Sequence, residues 1–410
     1  MRSLFQRDPT NPSNLIDAMT QFPNNLITTF IELCNPFCSS LSALPSEEGW
    51  YSISELSKLH GVTPFLFHRV RSLEISLPDK IMKEWLGLYL YQIAEEQKAR
   101  RQIKELKAVL DSEGVPMVLL KSASAVLRLY PQPGLRTFVD LDILIPMDKV
   151  SEFKKGMAKA GYKPAGTMNS PEDEDLRKFE RHLDPLWKEG GLMIEPHVNL
   201  FKGRGKPMTA LPEIWEGIEE TQNDVISVAH LSKEHFIIIT LLHSTLDLIN
   251  RGFVEIKGFI DVLYAIRIWR SDGLKIRGIS QKWGIEKEIL PALATLIHYW
   301  HADLLLKSEA IPFDLTTLVL GVKDPVKHHY ENIPSGYLGR LLKMREFSDV
   351  TSRIRYLFHL FFPSQENLRW RYHLSSKWSV MPYYFLHLLI TFRKFFTGLW
   401  YQSRKNSITQ

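Results

Sequence analysis

The stretch RTFVDLDILIP, residues 136–146, is the most informative part of this 410-residue chain. Its apolar run predicts a strand over 138–145, in which successive side chains alternate between two faces. Asp140 and Asp142 therefore share one face, about 7 Å apart, while the residues between them, and Val139, point into a core. Two carboxylates in an apolar strand favour a neighbouring cation such as Mg²⁺. The alternative is a strand whose polar face is simply open to water.

A third acid follows in LMIEPHVNL, residues 192–200. Strand alternation places Glu195 and His197 on one face of this segment. If this strand pairs beside the aspartate strand, Glu195 completes a three-carboxylate site, which can hold two divalent ions. Pro196 lacks an N–H, so we expect the strand to be an edge or to be locally irregular there. His197 either orients a substrate or is an ordinary buried histidine.

A candidate anion site precedes the aspartates. The apolar segment 115–120 predicts a buried strand, and a helix is predicted to follow at 122–130. Lys121 and Ser122 lie at this junction, where free backbone N–H groups and the positive end of the helix favour a triphosphate. Arg136 is suited to bidentate phosphate contact. The alternative is an ordinary strand-to-helix turn with a surface lysine.

Periodicity elsewhere predicts an α+β protein with one small mixed sheet and flanking helices. Helices are expected at 47–59, 64–73, 81–110, 149–161, 235–248, 256–268 and 291–300, with Asp148 and Pro291 at the starts of two of them. Strands are expected at 115–120, 138–145, 162–167, 179–186 and 192–200. Four regions are predicted: an N-terminal helical region (1–110), a catalytic-type core (111–205), a helical domain (206–310) and a C-terminal helical region (311–410).

The composition of the chain bears on its possible partners and on its cellular location. The net charge of +5 and pI of about 8.9 are compatible with a polyanionic partner without requiring one. Cys34 and Cys38 cannot build a disulfide framework, so we expect two buried thiols and a reducing, cytoplasmic location. We also expect no secretory signal and no transmembrane segment.

The last 44 residues, 367–410, contain no acidic residue and combine seven Lys or Arg residues with several aromatic residues. Such a tail can pack on the protein as a helical layer, which we favour. It can also lie on an anionic membrane surface or bind nucleic acid. The sequence leaves these three alternatives open.

The ordered series of motifs resembles a bacterial family known as uncharacterised nucleotidyltransferases, placed in the DNA polymerase β-like superfamily. The resemblance covers roughly residues 90–300. The matching positions are Lys121, Tyr130, Pro131, Arg136, Asp140, Asp142, Leu144, Gly161, Tyr162, His182 to Leu186, Glu195 and His197. Ser122 replaces a glycine usual in the family, and Pro196 is unusual in the strand of the third acid.

The resemblance implies a polymerase β-like fold and transfer of a nucleoside monophosphate from a nucleoside triphosphate to a hydroxyl acceptor. It implies Asp140, Asp142 and Glu195 as catalytic ligands of Mg²⁺ or Mn²⁺. Contacts to the nucleotide would come from Lys121, Ser122, Arg136 and His197. ATP, CTP, GTP and UTP are not distinguished, and the acceptor is not identified. The alternative is a catalytically inactive relative that binds a nucleotide or a partner.

Overall fold

The computed structural model describes residues 24–165, 181–200, 212–222, 227–251, 256–302, 312, 350–363, 365, 368, 372 and 380–393. The chain forms two compact units, each assembled from separated segments of sequence. The first unit comprises 1–97, 124–137 and 233–332. The second comprises 98–123, 138–232 and 333–410.

The first unit is helical within the described residues. Its helices are α1 (Asn24–Leu33), α2 (Glu47–Leu59), α3 (Thr63–Ser72), the first half of α4 (Asp79–Ser112), α8 (Lys233–Arg251), α9 (Ile256–Trp269), α10 (Gly273–Lys282) and α11 (Glu286–Trp300). The core of this unit is aromatic, because the rings of Phe30, Phe65, Trp85, Phe236 and Phe259 are fully buried. Burial of such large apolar side chains is the main stabilising contribution to packing.

The second unit contains a seven-stranded mixed sheet, so the predicted α+β architecture is confirmed. Its strands are β1 (Val118–Leu119), β2 (Asp140–Leu144), β3 (Lys163–Pro164), β4 (Leu186–Trp187), β5 (Met193–His197), β6 (Glu219–Gln222) and β7 (Ser227–His230). Their spatial order is β3-β4-β5-β2-β1-β7-β6. The central strand β2 is parallel to β5 and antiparallel to β1.

Three further helices of the described residues lie next to these strands in sequence. They are α5 (Lys121–Arg128) after β1, α6 (Val150–Lys159) after β2, and α7 (Pro212–Glu216) before β6. The second half of α4 belongs to the second unit and buries Ile103, Leu106 and Leu110. On β2, Leu141 and Ile143 are fully buried, as the alternation of side chains predicts.

Three details of the predicted elements are wrong. Val139 is 76% exposed, because β2 begins only at Asp140 and the preceding residue is outside the alternation. Asp148 does not cap α6; it lies in a 3₁₀ turn before that helix, and the N-cap residue is Lys149. Pro291 is not in the first turn of α11, which begins five residues earlier, at Glu286.

The sheet also extends beyond the predicted catalytic-type core. Strands β6 and β7 lie after residue 205, in a region for which only helices were expected. The predicted strand over 179–186 is reduced to β4 and an isolated bridge between His182 and His197, among the described residues 181–187. No helix in the described parts of the chain has the length and apolar character needed to cross a membrane.

Candidate active site

The two predicted acidic strands are neighbours in the sheet. Strands β2 and β5 pair in parallel, and Asp142 lies directly opposite Glu195 in the register. Side chains of paired residues point to the same face, so both carboxylates project from one side of the sheet. Asp142 is buried and Glu195 is half-buried. The pairing thus brings together two acids that are separated by more than fifty residues in the sequence.

Pro196 is accommodated by an irregularity in the sheet. Strand β5 is not an edge, since it lies between β4 and β2. On the β4 side, Leu186 pairs with Ile194 and His182 pairs with His197. Three residues lie between His182 and Leu186, whereas only two lie between Ile194 and His197 on β5. The segment facing β5 therefore has one extra residue, which forms a bulge beside Pro196. The missing N–H therefore falls where the ladder is interrupted, which is the irregular alternative predicted for this strand.

Lys121 supplies the positive charge of the site. Strand β1 runs along the other side of β2, and the N–H of Leu120 donates to the carbonyl of Asp142 at 3.0 Å. The next residue, Lys121, has a φ of +43°, a left-handed conformation that is unfavourable for a residue with a side chain. Its ammonium donates to Asp142 Oδ1 at 2.7 Å and lies 3.7 Å from Glu195 Oε2. A lysine cation is therefore placed between the two carboxylates.

His197 completes the buried part of the cluster. Its Nε2 is 2.8 Å from Asp142 Oδ1 and 3.3 Å from Glu195 Oε2. Its Nδ1 is buried and has no hydrogen-bond partner. A carboxylate oxygen can only accept a hydrogen bond, so Nε2 carries a proton. In that state His197 donates to Asp142 and fixes the orientation of the carboxylate.

His182 approaches the same site from the segment before β4. Its Nδ1 is 3.1 Å from the carbonyl oxygen of Leu183, and its Nε2 is 3.7 Å from Glu195 Oε1. A carbonyl can only accept, so Nδ1 carries the proton and Nε2 keeps a lone pair in the neutral ring. Burial lowers the pKa of His182, and the attraction of Glu195 does not fully offset this effect. The neutral ring is therefore favoured.

The carboxylates are ionised in spite of their surroundings. Burial alone raises the pKa of Asp142, but the positive charge of Lys121 and the hydrogen bond from His197 outweigh it and hold that pKa well below the usual range. Burial likewise raises the pKa of Glu195, but the hydrogen bond from His197 leaves it lower than usual, in spite of the neighbouring Asp142. The site thus keeps two negative charges close together.

The chemistry of this cluster fits one divalent cation. Asp142, Glu195 and His197 each offer one ligand atom, and these atoms lie within 4.8 Å of one another. The two carboxylate oxygens suit Mg²⁺ or Mn²⁺. The Nε2 of His197 could act as a ligand only without the proton that it donates to Asp142. Asp140 is half-buried and outside this group, although it is on the same face at the start of β2. Its role as a ligand stays a prediction.

The two remaining predicted residues have different placements. Ser122 is buried in the first turn of α5, next to Lys121. Arg136 belongs to the helical unit, where its Nε and Nη2 donate to both carboxylate oxygens of Asp261 at 2.8–3.0 Å. Tyr130 donates to the same carboxylate at 2.6 Å. The donor atoms of Arg136 that face Asp261 are thus already engaged in a buried ion pair, and its role as a phosphate ligand stays a prediction.

Sequence reasoning missed the partner of this arginine. Asp261 lies 125 positions away on α9 and is only 1% exposed. An acidic residue in the apolar segment GFIDVLYAI is itself a signal, because a buried carboxylate requires a partner. The signal does not identify that partner, which could have been any cation of the chain.

The chain belongs to the family described as uncharacterised nucleotidyltransferases, whose sequence profile matches residues 46–301, more than half of its length. No curated protein matches it significantly.

Solved structures with a partial likeness are also nucleotidyltransferases or are named as similar to them. The crystal structure of ANT(2″)-Ia in complex with adenylyl-2″-tobramycin has 11% identity and a TM-score of 0.33, covering 45% of this chain and 96% of that one. An antigenic nucleotidyltransferase-like protein from Paracoccidioides brasiliensis has 16% identity and a TM-score of 0.35, covering 54% and 97%. Likeness at this level does not identify a substrate.

Proposed function

We propose that this protein transfers a nucleoside monophosphate from a nucleoside triphosphate to a hydroxyl acceptor and releases pyrophosphate, with a divalent cation held at Asp142 and Glu195. The observation that carries the proposal is the direct pairing of these two acids across β2 and β5, around the ammonium of Lys121. Family membership supports the reaction class. The cation is inferred from the chemistry of the cluster, and the triphosphate and the hydroxyl acceptor are inferred from the resemblance to the family.

Asp142 and Glu195 would hold the metal, and we propose Asp140 as a third ligand because it follows the same face of β2. Bound Mg²⁺ or Mn²⁺ would supply positive charge to the phosphate oxygens and to the attacking and leaving oxygens. The chain contributes negative charges fixed before any ligand arrives. His197 keeps the carboxylate of Asp142 in one orientation through its Nε2–H.

Lys121 and Ser122 would bind the triphosphate. They begin α5, whose first N–H groups lack partners within the helix and favour an anion. The Ser122 hydroxyl can donate to a phosphate oxygen, in place of the close backbone approach that glycine would allow. The ammonium of Lys121 lies at the same junction, and it can leave the carboxylate of Asp142 to pair with a phosphate of the bound nucleotide. We retain Arg136 as a phosphate ligand only on the basis of the resemblance.

We propose that His182 accepts the proton of the acceptor hydroxyl. Its neutral ring presents the Nε2 lone pair toward Glu195, and its side chain is 38% exposed, so an acceptor can reach it. A His182→Gln variant should lose most of kcat and also lose the acid limb of the pH–rate profile, which reports protonation of the ring. Retention of that limb in the variant would assign the proton transfer to another group.

The transfer is tested with each of the four α-labelled nucleoside triphosphates, Mg²⁺ and an extract of the source cells. We expect label from one or more nucleotides to enter a product, and chelation of Mg²⁺ to abolish the reaction. Asp142→Asn and Glu195→Gln should also abolish it. Asp148→Asn is the matched control, because it makes the same change at an exposed position just after β2. Undiminished transfer by Asp142→Asn contradicts the proposal.

A second candidate is a protein that binds a nucleotide but does not transfer it. The short ion pair between Lys121 and Asp142 favours this alternative, because a permanent pair would exclude the cation from its ligand. This candidate predicts nucleotide binding that is independent of Mg²⁺, without labelled product from any extract. Equilibrium dialysis with labelled nucleotide, with and without Mg²⁺, separates the two candidates.

A further inference from the structure

Helix α12 (Val350–Phe361), near the end of the second unit, has an exposed apolar stripe. Val350, Ile354, Phe358 and Phe362 recur every four residues and are 44–66% exposed. Residues four apart lie one above another on a helix, so the stripe follows one side of α12 and the residue after it. Large side chains scattered singly over a surface are ordinary, but a continuous row of four marks an interaction site.

A second helical segment, 381–393, repeats this feature in the same unit. Met381, Phe385, Leu389 and Phe392 follow the helical spacing and are 47–70% exposed. The two helical segments meet, because the ring centroids of Phe361 and Phe392 are 5.4 Å apart. Together α12 and 381–393 therefore present two apolar stripes, and we refer to them as the C-terminal helix pair.

The charge of this helix pair has one sign. Neither α12 nor the segment 381–393 contains an acidic residue, and their charged residues are Arg353, Arg355 and Arg393. Arg353 and Arg393 are exposed. The whole sequence from residue 367 to the end also lacks Asp and Glu and has seven basic residues. Within the two segments, arginine is the only charged residue that accompanies the exposed apolar side chains, and the nearest acidic residues in the sequence are Asp349 and Glu366. Apolar side chains with this basic charge complement a surface that is apolar and negatively charged.

We propose that the C-terminal helix pair binds the surface of a membrane that contains anionic lipids. Helix α12 has 12 residues, whereas about 20 apolar residues are needed to span a bilayer, so the helix would lie in the interface. Aliphatic and phenyl side chains would enter the boundary between headgroups and acyl chains, and the arginines would contact lipid phosphates. This proposal does not depend on the proposed nucleotide transfer.

Other occupants fit the surface less well. A nucleic acid would match the positive charge and could stack on Phe358 and Phe385, but Ile354, Met381 and Leu389 offer it no base-stacking surface. A second copy of the chain would match the apolar stripes, but it would bring like-charged arginines together. The combination of aliphatic side chains with the basic charge of the two segments and of residues 367–410 is what favours lipid.

The experiment is flotation of the full-length protein with vesicles of phosphatidylcholine alone, or with about a third of the lipid replaced by phosphatidylglycerol. We expect binding to the anionic vesicles and binding at least tenfold weaker to the neutral ones. Binding to the anionic vesicles should weaken as the concentration of sodium chloride or of potassium chloride rises. The double variant Phe358→Glu/Phe385→Glu should bind the anionic vesicles at least about tenfold more weakly than the wild type. Ile268→Glu/Leu274→Glu is the matched control, since it places the same two negative charges on exposed aliphatic residues of α9 and α10.

Unequal effects of these variants support the proposal only if both remain folded, which urea unfolding checks directly. Equal binding to neutral and anionic vesicles overturns it, and so does wild-type-like binding by the double variant. A concentration-dependent dimer in analytical ultracentrifugation that the double variant abolishes, without vesicle binding by the wild type, assigns the surface to a second copy. Tighter binding to single-stranded RNA than to anionic vesicles assigns it to nucleic acid. If a variant does not fold, the salt dependence of wild-type binding still tests the proposal, and binding that is insensitive to salt overturns it.

Discussion

Replacing Lys121 with methionine should lower the free energy of unfolding and raise the affinity of the protein for a divalent cation. The side chain of Lys121 is 15% exposed and that of Asp142 is 4% exposed, so their ion pair is largely shielded from water. Removing one partner of a buried pair costs about 3–5 kcal/mol. We expect about 3 kcal/mol here, because the ammonium retains some contact with solvent. The loss leaves two carboxylates without a cation between them.

A divalent cation can then occupy this position without displacing the ammonium. If most of the 3 kcal/mol is recovered on binding, the affinity for Mn²⁺ rises by about tenfold to a hundredfold, since 1.4 kcal/mol corresponds to a factor of ten. Mn²⁺ at a hundred times its Kd adds about 2.7 kcal/mol to the free energy of unfolding. Saturating Mn²⁺ should therefore restore nearly all of the stability that the variant loses.

The assay combines Mn²⁺ titration by electron paramagnetic resonance, without nucleotide, and urea unfolding with and without Mn²⁺. Lys107→Met is the matched control, because Lys107 pairs with Asp111 on the surface of α4 and such pairs contribute 1 kcal/mol or less. It should leave the affinity for Mn²⁺ unchanged. Equal or weaker Mn²⁺ binding by Lys121→Met would refute the idea that the ammonium takes the place of the cation.

Three further predictions concern stability and reactivity. Asp261→Asn should lower the free energy of unfolding in urea by about 3–5 kcal/mol, because it leaves Arg136 buried without a carboxylate. An aromatic disulfide reagent should label Cys38 in the native protein and Cys34 only after unfolding, because burial raises the pKa of Cys34 and shields its thiol. The stability of the wild type should fall more steeply than that of Asp142→Asn between pH 5 and pH 3. The pKa of Asp142 is lower in the folded protein than in the unfolded chain, so its contribution is present above the unfolded pKa and lost as the pH falls toward the folded one.

Each of these predictions has a result that contradicts it. A loss below 1 kcal/mol in Asp261→Asn would show that the arginine finds another partner. Rapid labelling of two thiols per native chain would show that Cys34 is accessible. Parallel pH curves for the wild type and Asp142→Asn would show that Asp142 is not held ionised by its neighbours.

Each of the two acidic strands could be predicted from the sequence because its signal is local, whereas their pairing was only a condition of the predicted site. Alternation of apolar and acidic residues in 140–144 and 193–197 defines one polar face on each strand. Asp142 and Glu195 can lie opposite each other in a parallel or in an antiparallel pair, and the structure has the parallel one. The short β1 and the helix after it were visible for the same reason, through an apolar run followed by helical spacing.

The rest required information that is not local. Lys121 reaches Asp142 because β1 and β5 lie on opposite sides of β2, an order that no single segment specifies. Strands β6 and β7 are four residues long and mostly polar, so periodicity gives them no clear signal. The partner of Arg136 was missed because pairing across 125 positions depends on helix packing rather than on any motif.

The most direct test of the central claim is an anomalous difference map from crystals of the protein soaked with Mn²⁺ and a non-hydrolysable nucleoside triphosphate. We predict a manganese peak within ligand distance of carboxylate oxygens from both Asp142 and Glu195, with the ammonium of Lys121 displaced toward the phosphates. A fully occupied nucleotide with no manganese at these carboxylates, and Lys121 still paired with Asp142, would contradict the account.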